Sequence, residues 1–468
     1  MTFLLRRKSF DALGEMDPSK RLRATLSWPH LIALGVGAIV GTGIYTLIGV
    51  GAGLAGPGVI LSFAIAGAVC VCAALAYAEM ATMIPAAGSA YTYTYTVLGE
   101  GLAWIVGWSL ILEYTVVCSA VAVGWSGHVA EFLPFMPQAL LAGPGAGGII
   151  NLPAILIAFL VAGFLILGTK ESATVNVVLV ILKVIALTAF VVIAGGHFQP
   201  SHFHPFMPFG FSGQGADGSK IGVMAAASII FFAFYGFDTI STAAEETKNP
   251  GRDLTIGILG SMILCIIIYM AVAAAAIGAV PVANFAKSSA PLVLILDSLH
   301  SPLAARLVAG AAVVALPTVI LAFMYGQSRI FFVMARDGLL PIALAKVSAR
   351  TGTPVTMTAI TAVIAAAIAG FLPLGQIAAL ANAGTLCAFI AVGVCMMALR
   401  IKEPQRPRVF RAPLWWLVGP LGVVGCLYLF SSLPSLTIGL FFVWNGLGIV
   451  LYLLFARRSS LLAKAGLG

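Results

Sequence analysis

The chain has 468 residues, 61% of them apolar and only 9% charged, with a mean hydropathy of +1.07 and a formal net charge of +9. Soluble domains carry nearer 25% charged residues, so the composition excludes a soluble globular protein and predicts an all-α polytopic membrane protein. The basic surplus does not call for nucleic acid, because its distribution along the chain follows a membrane topology.

Met1–Ser27 is basic and has no apolar core followed by a cleavage site, so it reads as a cytoplasmic tail rather than a signal peptide. Twelve spanning segments follow, at about 31–50, 58–83, 101–125, 152–168, 176–195, 222–241, 257–279, 303–334, 354–372, 376–399, 413–432 and 435–456. With the N-terminus inside, only Lys220, Lys287 and Arg306 fall outside and Lys183 stays within the membrane. The rest of the 25 basic residues lie on the cytoplasmic side, among them Lys20, Arg21, Arg23, Lys346 and Arg350. That asymmetry predicts both termini in the cytoplasm, in the cytoplasmic (inner or plasma) membrane.

Within the first segment, Gly35, Gly37, Gly41 and Gly43 interrupt an apolar run. Each glycine costs a helix about 1 kcal/mol relative to alanine. One reading is a broken helix lining a wet cavity, where its free N–H and C=O groups meet a polar solute. The other is close helix packing through Gly37-x-x-x-Gly41.

The stretch Ile84–Tyr95 is too polar to span and rich in tyrosine. It reads either as a short helix along the cytoplasmic interface or as a loop. His197, His202 and His204 are close in sequence, but Pro200, Pro205 and the lack of acidic partners favour solvated loop histidines over a metal site. The seven cysteines lie in apolar runs without metal-type spacing, so neither metal nor cofactor is expected. The eighth segment exceeds a bilayer's need, and Pro317 predicts a kink within it.

The sixth segment answers the first. In Ser228–Ser241 a glycine, Gly236, again interrupts an apolar run at mid-depth, followed by Asp238. Five segments separate the two interruptions, an odd number, so the two halves would face opposite ways. That is the arrangement of inverted-repeat transporters, whose broken helices meet at the membrane midplane, and it favours the cavity reading.

Ionisable residues in hydrocarbon are costly and need a reason. Lys183 sits mid-span, too deep to snorkel comfortably. Beside unwound carbonyls it could occupy the place of a bound cation and exchange a proton during a transport cycle, or it could be permanently paired. Glu113 and Asp238 read as supporting acids that pair with a cation or satisfy a loose backbone. Glu79, near a membrane end, receives no special part, and Asn176, Asn382 and Thr385 suit interhelical hydrogen bonds. An enzyme would need a metal cluster or an activated nucleophile at membrane depth, and the sequence offers no such set.

Several motifs together resemble the amino acid–polyamine–organocation superfamily, and within it the bacterial branch of the cationic amino acid transporter family. They are the glycine-rich run at 35–44, Pro-Ala-Ala-Gly-Ser-Ala-Tyr-Thr-Tyr at 85–93 and Gly-Trp-Ser-Leu-Ile-Leu-Glu-Tyr at 107–114. Further along come Gly-Phe-Asp-Thr-Ile-Ser-Thr-Ala-Ala-Glu-Glu-Thr-Lys-Asn-Pro at 236–250, Tyr-Gly-Gln-Ser-Arg at 325–329 and Arg-Asp-Gly-Leu-Leu-Pro at 336–341. The resemblance runs nearly end to end. It implies a LeuT-like 5+5 inverted repeat plus two C-terminal helices, twelve in total. The boundaries are a tail at 1–29, repeats at 30–200 and 221–400, the last two helices at 412–457 and a tail at 458–468.

It also implies a secondary transporter of L-amino acids, proton-coupled and working by alternating access, with exchange or uncoupled uptake of cationic substrates as alternatives. The substrate carboxylate would lie against free N–H groups and a hydroxyl at Ile39, Val40, Thr42 and Gly43, and the amino group against Phe232, Ala233 and Tyr235. Lys183 would serve proton coupling. Tyr235 stands where the family commonly has an aliphatic residue, which would narrow the side-chain pocket or offer it a hydroxyl, and which argues against a long basic substrate. The implied partners are the amino acid, the bilayer, and a small single-span protein or sterol-like lipid at the side of a monomer or weak dimer.

Overall fold

The computed structural model describes residues 2–8, 24–130, 132, 135–167, 169–215, 219–288, 290–345, 348 and 354–464. Most of the expected N-terminal tail, with Lys20, Arg21 and Arg23, lies outside the described residues, as do Lys346 and Arg350.

Among the described residues, eight helical runs are long and apolar enough to cross a membrane, and four shorter apolar helices accompany them. The glycine-rich first segment is split into α1 (Trp28–Ile39), α2 (Thr42–Tyr45) and α3 (Leu47–Ala55). A tight turn at Gly56–Gly58, where Gly56 adopts φ +63, leads into α4 (Val59–Met83).

Next come α5 (Ser89–Val97), the long α6 (Glu100–Ala130), α7 (Leu152–Leu167) and α8 (Thr169–Gly195). A two-stranded hairpin, β1 (Gly213–Gln214) and β2 (Lys220–Ile221), precedes α9 (Val223–Ile230) and α10 (Asp238–Thr242). They lead to α11 (Pro250–Ala279), with the short α12 (Val282–Phe285) and α13 (Pro291–Ser298) after it.

The eighth segment is two helices, α14 (Pro302–Ala315) and α15 (Pro317–Arg336). Pro317 opens the second because it lacks the N–H that a continuous helix would use. The remaining crossings are α16 (Val355–Phe371), α17 (Leu374–Lys402), α18 (Trp415–Ser431) and α19 (Ser435–Leu451). Proline in the first turn also starts α11, α13 and α14, where its fixed φ suits the helix and its missing donor costs nothing.

The core centres on α6, which packs against α15, α16, α17, α7 and α5. A second group forms where α11 packs on α1 and α4, and α9 on α4. Outward faces carry exposed aliphatics such as Val178, Ile181 and Ile185 on α8, as a lipid-facing surface requires. At the other end of the sequence α19 is fixed to α6 by stacked tryptophans. Trp108 and Trp444 lie 4.7 Å apart between centroids, and each indole N–H donates to the other residue's carbonyl at 2.9 Å.

One expectation changes. The tyrosine-rich stretch is a helix, but every residue of α5 is buried, so its rings pack against protein and not along an interface. Glu79 also has a definite part. Buried at 1% exposure, it accepts from Arg400 at 2.7 Å, Arg408 at 3.1 Å and the Ala412 N–H at 2.8 Å. These contacts tie the end of α4 to the last turn of α17 and to the segment between α17 and α18.

Candidate functional site

The first break is a two-residue gap. The Val40 N–H closes the last turn of α1 on the Val36 carbonyl at 2.9 Å, Gly41 runs extended, and α2 restarts at Thr42. A helix end leaves carbonyls without intrahelical donors, and a helix start leaves N–H groups without acceptors. Here the carbonyl end is capped by side chains. Lys183, fully buried on α8, donates from Nζ to the carbonyls of Gly37 at 2.8 Å and Val40 at 2.6 Å. The Tyr269 hydroxyl donates to the Ile39 carbonyl at 2.7 Å, and one turn earlier Asn176 donates to Ala33 at 3.1 Å. The leading N–H groups of α2 remain on the other side of the gap.

The second break is longer. After α9 comes a tight turn, Phe231–Ala233, then Phe234–Phe237 in no regular helix, then α10. Gly236 takes φ +122, a conformation L side chains rarely adopt. Asp238 holds this turn by accepting the Gly236 N–H at 3.1 Å and the Tyr114 hydroxyl.

The two breaks touch. A Cβ built at Gly43 would stand 2.4 Å from Ala233 Cα, and one at Gly236 would stand 3.0 Å from the Ala38 carbonyl carbon. Between them is a cavity of about 10 Å³, room for one water. Its walls are Ala38, Ile39, Gly41, Thr42 and Gly43 from the first break and Phe232 and Tyr235 from the second. Val117 and Val121 of α6 and Val319 and Phe323 of α15 complete it.

Of the residues expected here, Ile39, Thr42, Gly43, Phe232 and Tyr235 line the cavity, and Ala233 backs it through Gly43. Val40 departs from expectation. It is not in the wall, and its N–H is spent inside α1, so it has no free donor for a carboxylate. Sequence reasoning missed Val117, Val121, Val319 and Phe323. Their i, i+4 spacing on two helices was the available signal.

Polar groups with no hydrogen-bond partner among the described residues gather here: Thr42 Oγ1, the Tyr235 hydroxyl and both carboxylate oxygens of Glu113. Glu113 is one helical turn from Val117 and faces Thr385 without hydrogen-bond geometry to it. An unpaired buried polar group carries a desolvation cost.

At the end of the bundle where α1 begins, the remaining sequence motifs meet in a clasp. Arg329 donates to Glu246 Oε1 from Nε at 3.1 Å and Nη2 at 3.0 Å, stacks on Tyr325 at 3.6 Å, and Tyr325 donates to the same oxygen at 2.5 Å. Arg336 pairs with Glu245 at 3.0 Å, and that carboxylate also accepts the Ala87 N–H at 3.1 Å. Asp337 receives Lys8 at 2.7 Å and the Tyr91 hydroxyl at 3.0 Å. Burial, and then the Asp337 charge, push the Tyr91 hydroxyl well above its ordinary range, so it remains a donor. Ser241 of α10 meets Ser89 of α5 at 2.7 Å. The clasp therefore joins α10 and the turn that follows it, Ala244–Glu246, to α5, α15 and the residues next to them.

Residues 26–455 match the family model described as amino acid permease. The chain is 42% identical over 466 residues to a branched-chain amino acid permease, BcaP, of Bacillus subtilis (strain 168), covering 98% of both chains. It is 39% identical over 471 residues to a methylthioribose transporter of the same organism, covering 99% of this chain and 100% of the relative. To the vacuolar cationic amino acid transporter 4 of Arabidopsis thaliana it is 37% identical over 424 residues, covering 86% of this chain and 68% of the relative.

Proposed function

The chain belongs to the amino acid permease family, and from that premise we propose that it carries L-amino acids with apolar, branched side chains, coupled to protons, by alternating access. The observation that carries this reading is the contact of two broken helices at Gly43 and Ala233 beside a small cavity.

A zwitterion needs donors for its carboxylate and acceptors for its ammonium. The first turn of α2 offers the N–H groups of Thr42 and Gly43 and the unpartnered Thr42 hydroxyl, at a helix start that favours negative charge. The turn Phe231–Ala233 ends α9 beside the same space, and a helix end leaves carbonyls without intrahelical donors. Val117, Val121, Val319 and Phe323 then face the side chain. Apolar walls suit an apolar side chain, and two relatives, of Bacillus subtilis and Lactococcus lactis, are branched-chain amino acid permeases.

Lys183 is the proposed proton carrier. As an ammonium group it holds Gly37 and Val40 with charge-assisted bonds, roughly twice as strong as neutral ones. Releasing the proton weakens that hold on the end of α1, next to the bound carboxylate. The repeat organisation is then five plus five helices related by inversion, with α18 and α19 added and both termini cytoplasmic. The clasp closes the cytoplasmic way out.

Glu113 favours a second reading, transport of cationic amino acids. Its unpartnered carboxylate lies one turn beyond the cavity wall, within reach of a long basic side chain, and several relatives are cationic amino acid transporters. Uptake and counterflow in proteoliposomes under an imposed pH gradient decide between them. Saturable leucine, isoleucine or valine accumulation is expected. Accumulation of lysine and arginine instead would favour the second reading, and no saturable uptake of any amino acid would overturn both.

A further inference from the structure

The cavity-lining stripe of α6 does not end at Val121. At helical spacing it continues to Gly124 and His128. A Cβ at Gly124 would stand 2.6 Å from Thr42 Cγ2 and 2.7 Å from Thr42 Oγ1, so the stripe lies directly against α2. One turn further, the His128 ring meets Tyr45 of α2 edge-on, with centroids 6.2 Å apart and planes at 89°. Both side chains are sealed, each at 1% exposure. The hydroxyls of Tyr45 and its neighbour Thr46 have no hydrogen-bond partner among the described residues. His128 Nδ1 lies 2.9 Å from the Gly124 carbonyl, to which it donates in the tautomer that carries hydrogen there.

We propose that His128 and Tyr45 form the latch over the substrate cavity on the side opposite the clasp, and that protonation of His128 releases it. The proposal rests on the transporter reading and its topology, which put this side outside the cell.

The physical reason is the cost of charge in a sealed place. An imidazolium packed against Tyr45 would lose its hydration with no carboxylate paired to it among the described residues. Tyr45 is the ionisable group of α2. Neither α7 nor α16 carries one, and α14 carries Arg306, which is exposed. On α15 the ionisable groups, Tyr325, Arg329 and Arg336, belong to the clasp at the far end. Ser126, two residues before His128, is neutral and donates to the neutral Asn151 at 2.6 Å. Glu131 lies outside the described residues.

Water must therefore reach the ring before it holds a charge, and it does so when α2 and α6 part. The open form binds the proton better, so external acid favours opening, across the roughly pH 5–8 range in which an unperturbed imidazole changes charge. This sets how fast substrate enters. It does not set how far a pH gradient can drive accumulation, which belongs to Lys183.

The test uses the full chain in proteoliposomes with the internal pH clamped. In the unaltered protein the initial rate of counterflow should rise as the external medium is acidified. His128→Gln should lose that dependence while retaining steady-state accumulation under a pH gradient. A wild-type pH profile in His128→Gln overturns the latch, whereas absence of saturable uptake by the unaltered chain overturns the transporter reading instead. A measurement without any substitution guards against misfolding of the variant. Hydrogen exchange at the histidine C2 position, followed by mass spectrometry, should slow at His128 when the amino acid is bound and stay constant at His197 and His202. An unchanged His128 rate would count equally against the latch.

Discussion

Replacing Gly43 by alanine pushes the two breaks apart at the point where they touch. The added Cβ would stand 2.4 Å from Ala233 Cα, 2.5 Å from Ala233 Cβ and 3.1 Å from the Ala233 N. Carbon atoms rest at about 3.5 Å or more, so α2 and the turn Phe231–Ala233 must separate by about 1.1 Å. Both contacts are backbone or Cβ, with no flexible side chain to swing aside. Overpacking of this kind costs about 1–3 kcal/mol. Because it falls on the closed arrangement that would hold the substrate, amino acid affinity should drop by about 5- to 150-fold. Isothermal titration of purified protein measures this. Gly163→Ala on α7 is the control, since its residue is exposed and no atom lies within 4 Å of the added Cβ. Unchanged affinity in Gly43→Ala would refute the close meeting of the breaks.

Lys183→Ala removes both bonds to the end of α1, each worth about 1.5–3 kcal/mol when charge-assisted. Uptake driven by a pH gradient should vanish while much of the binding survives titration; retained proton dependence would exclude Lys183 as carrier. Tyr235→Val removes an unpartnered hydroxyl and a ring from the cavity wall, and a competition panel should show a wider range of accepted side chains. An identical panel would place Tyr235 outside the pocket. Glu246→Gln leaves the buried Arg329 guanidinium without its carboxylate, at a cost of about 3–5 kcal/mol to the closed clasp. Backbone hydrogen exchange over residues 325–336 should quicken, and wild-type protection would contradict the gating role.

The two breaks were legible because glycine is dense in an otherwise apolar run and because Asp238 comes two residues after Gly236. Lys183 stood out for a simpler reason, as a lone charge in mid-span. The sequence could not show how their backbone groups divide, since a shift of one residue moves the Val40 N–H from the gap into α1. The walls were hidden for a different reason. In a helix that is apolar all round, cavity-facing valines such as Val117 and Val121 look like lipid-facing ones, and the helical periodicity that marks a soluble core disappears. In α5, tyrosine and threonine mimic an interfacial composition, and only the surrounding helices show that they are buried. Glu79 drew no role from its neighbours because Arg400 and Arg408 lie more than three hundred residues away in sequence. The clasp was present as separate polar motifs, which only the fold brings to one place.

The most direct test of zwitterion recognition at the breaks is titration of the purified protein with three matched ligands: an L-amino acid, the same molecule without its amino group, and the same molecule without its carboxylate. Saturable binding of the amino acid and loss of binding by both analogues is the expected result. Either analogue binding as tightly as the amino acid would contradict it, because one of the two bare helix ends would then contribute nothing.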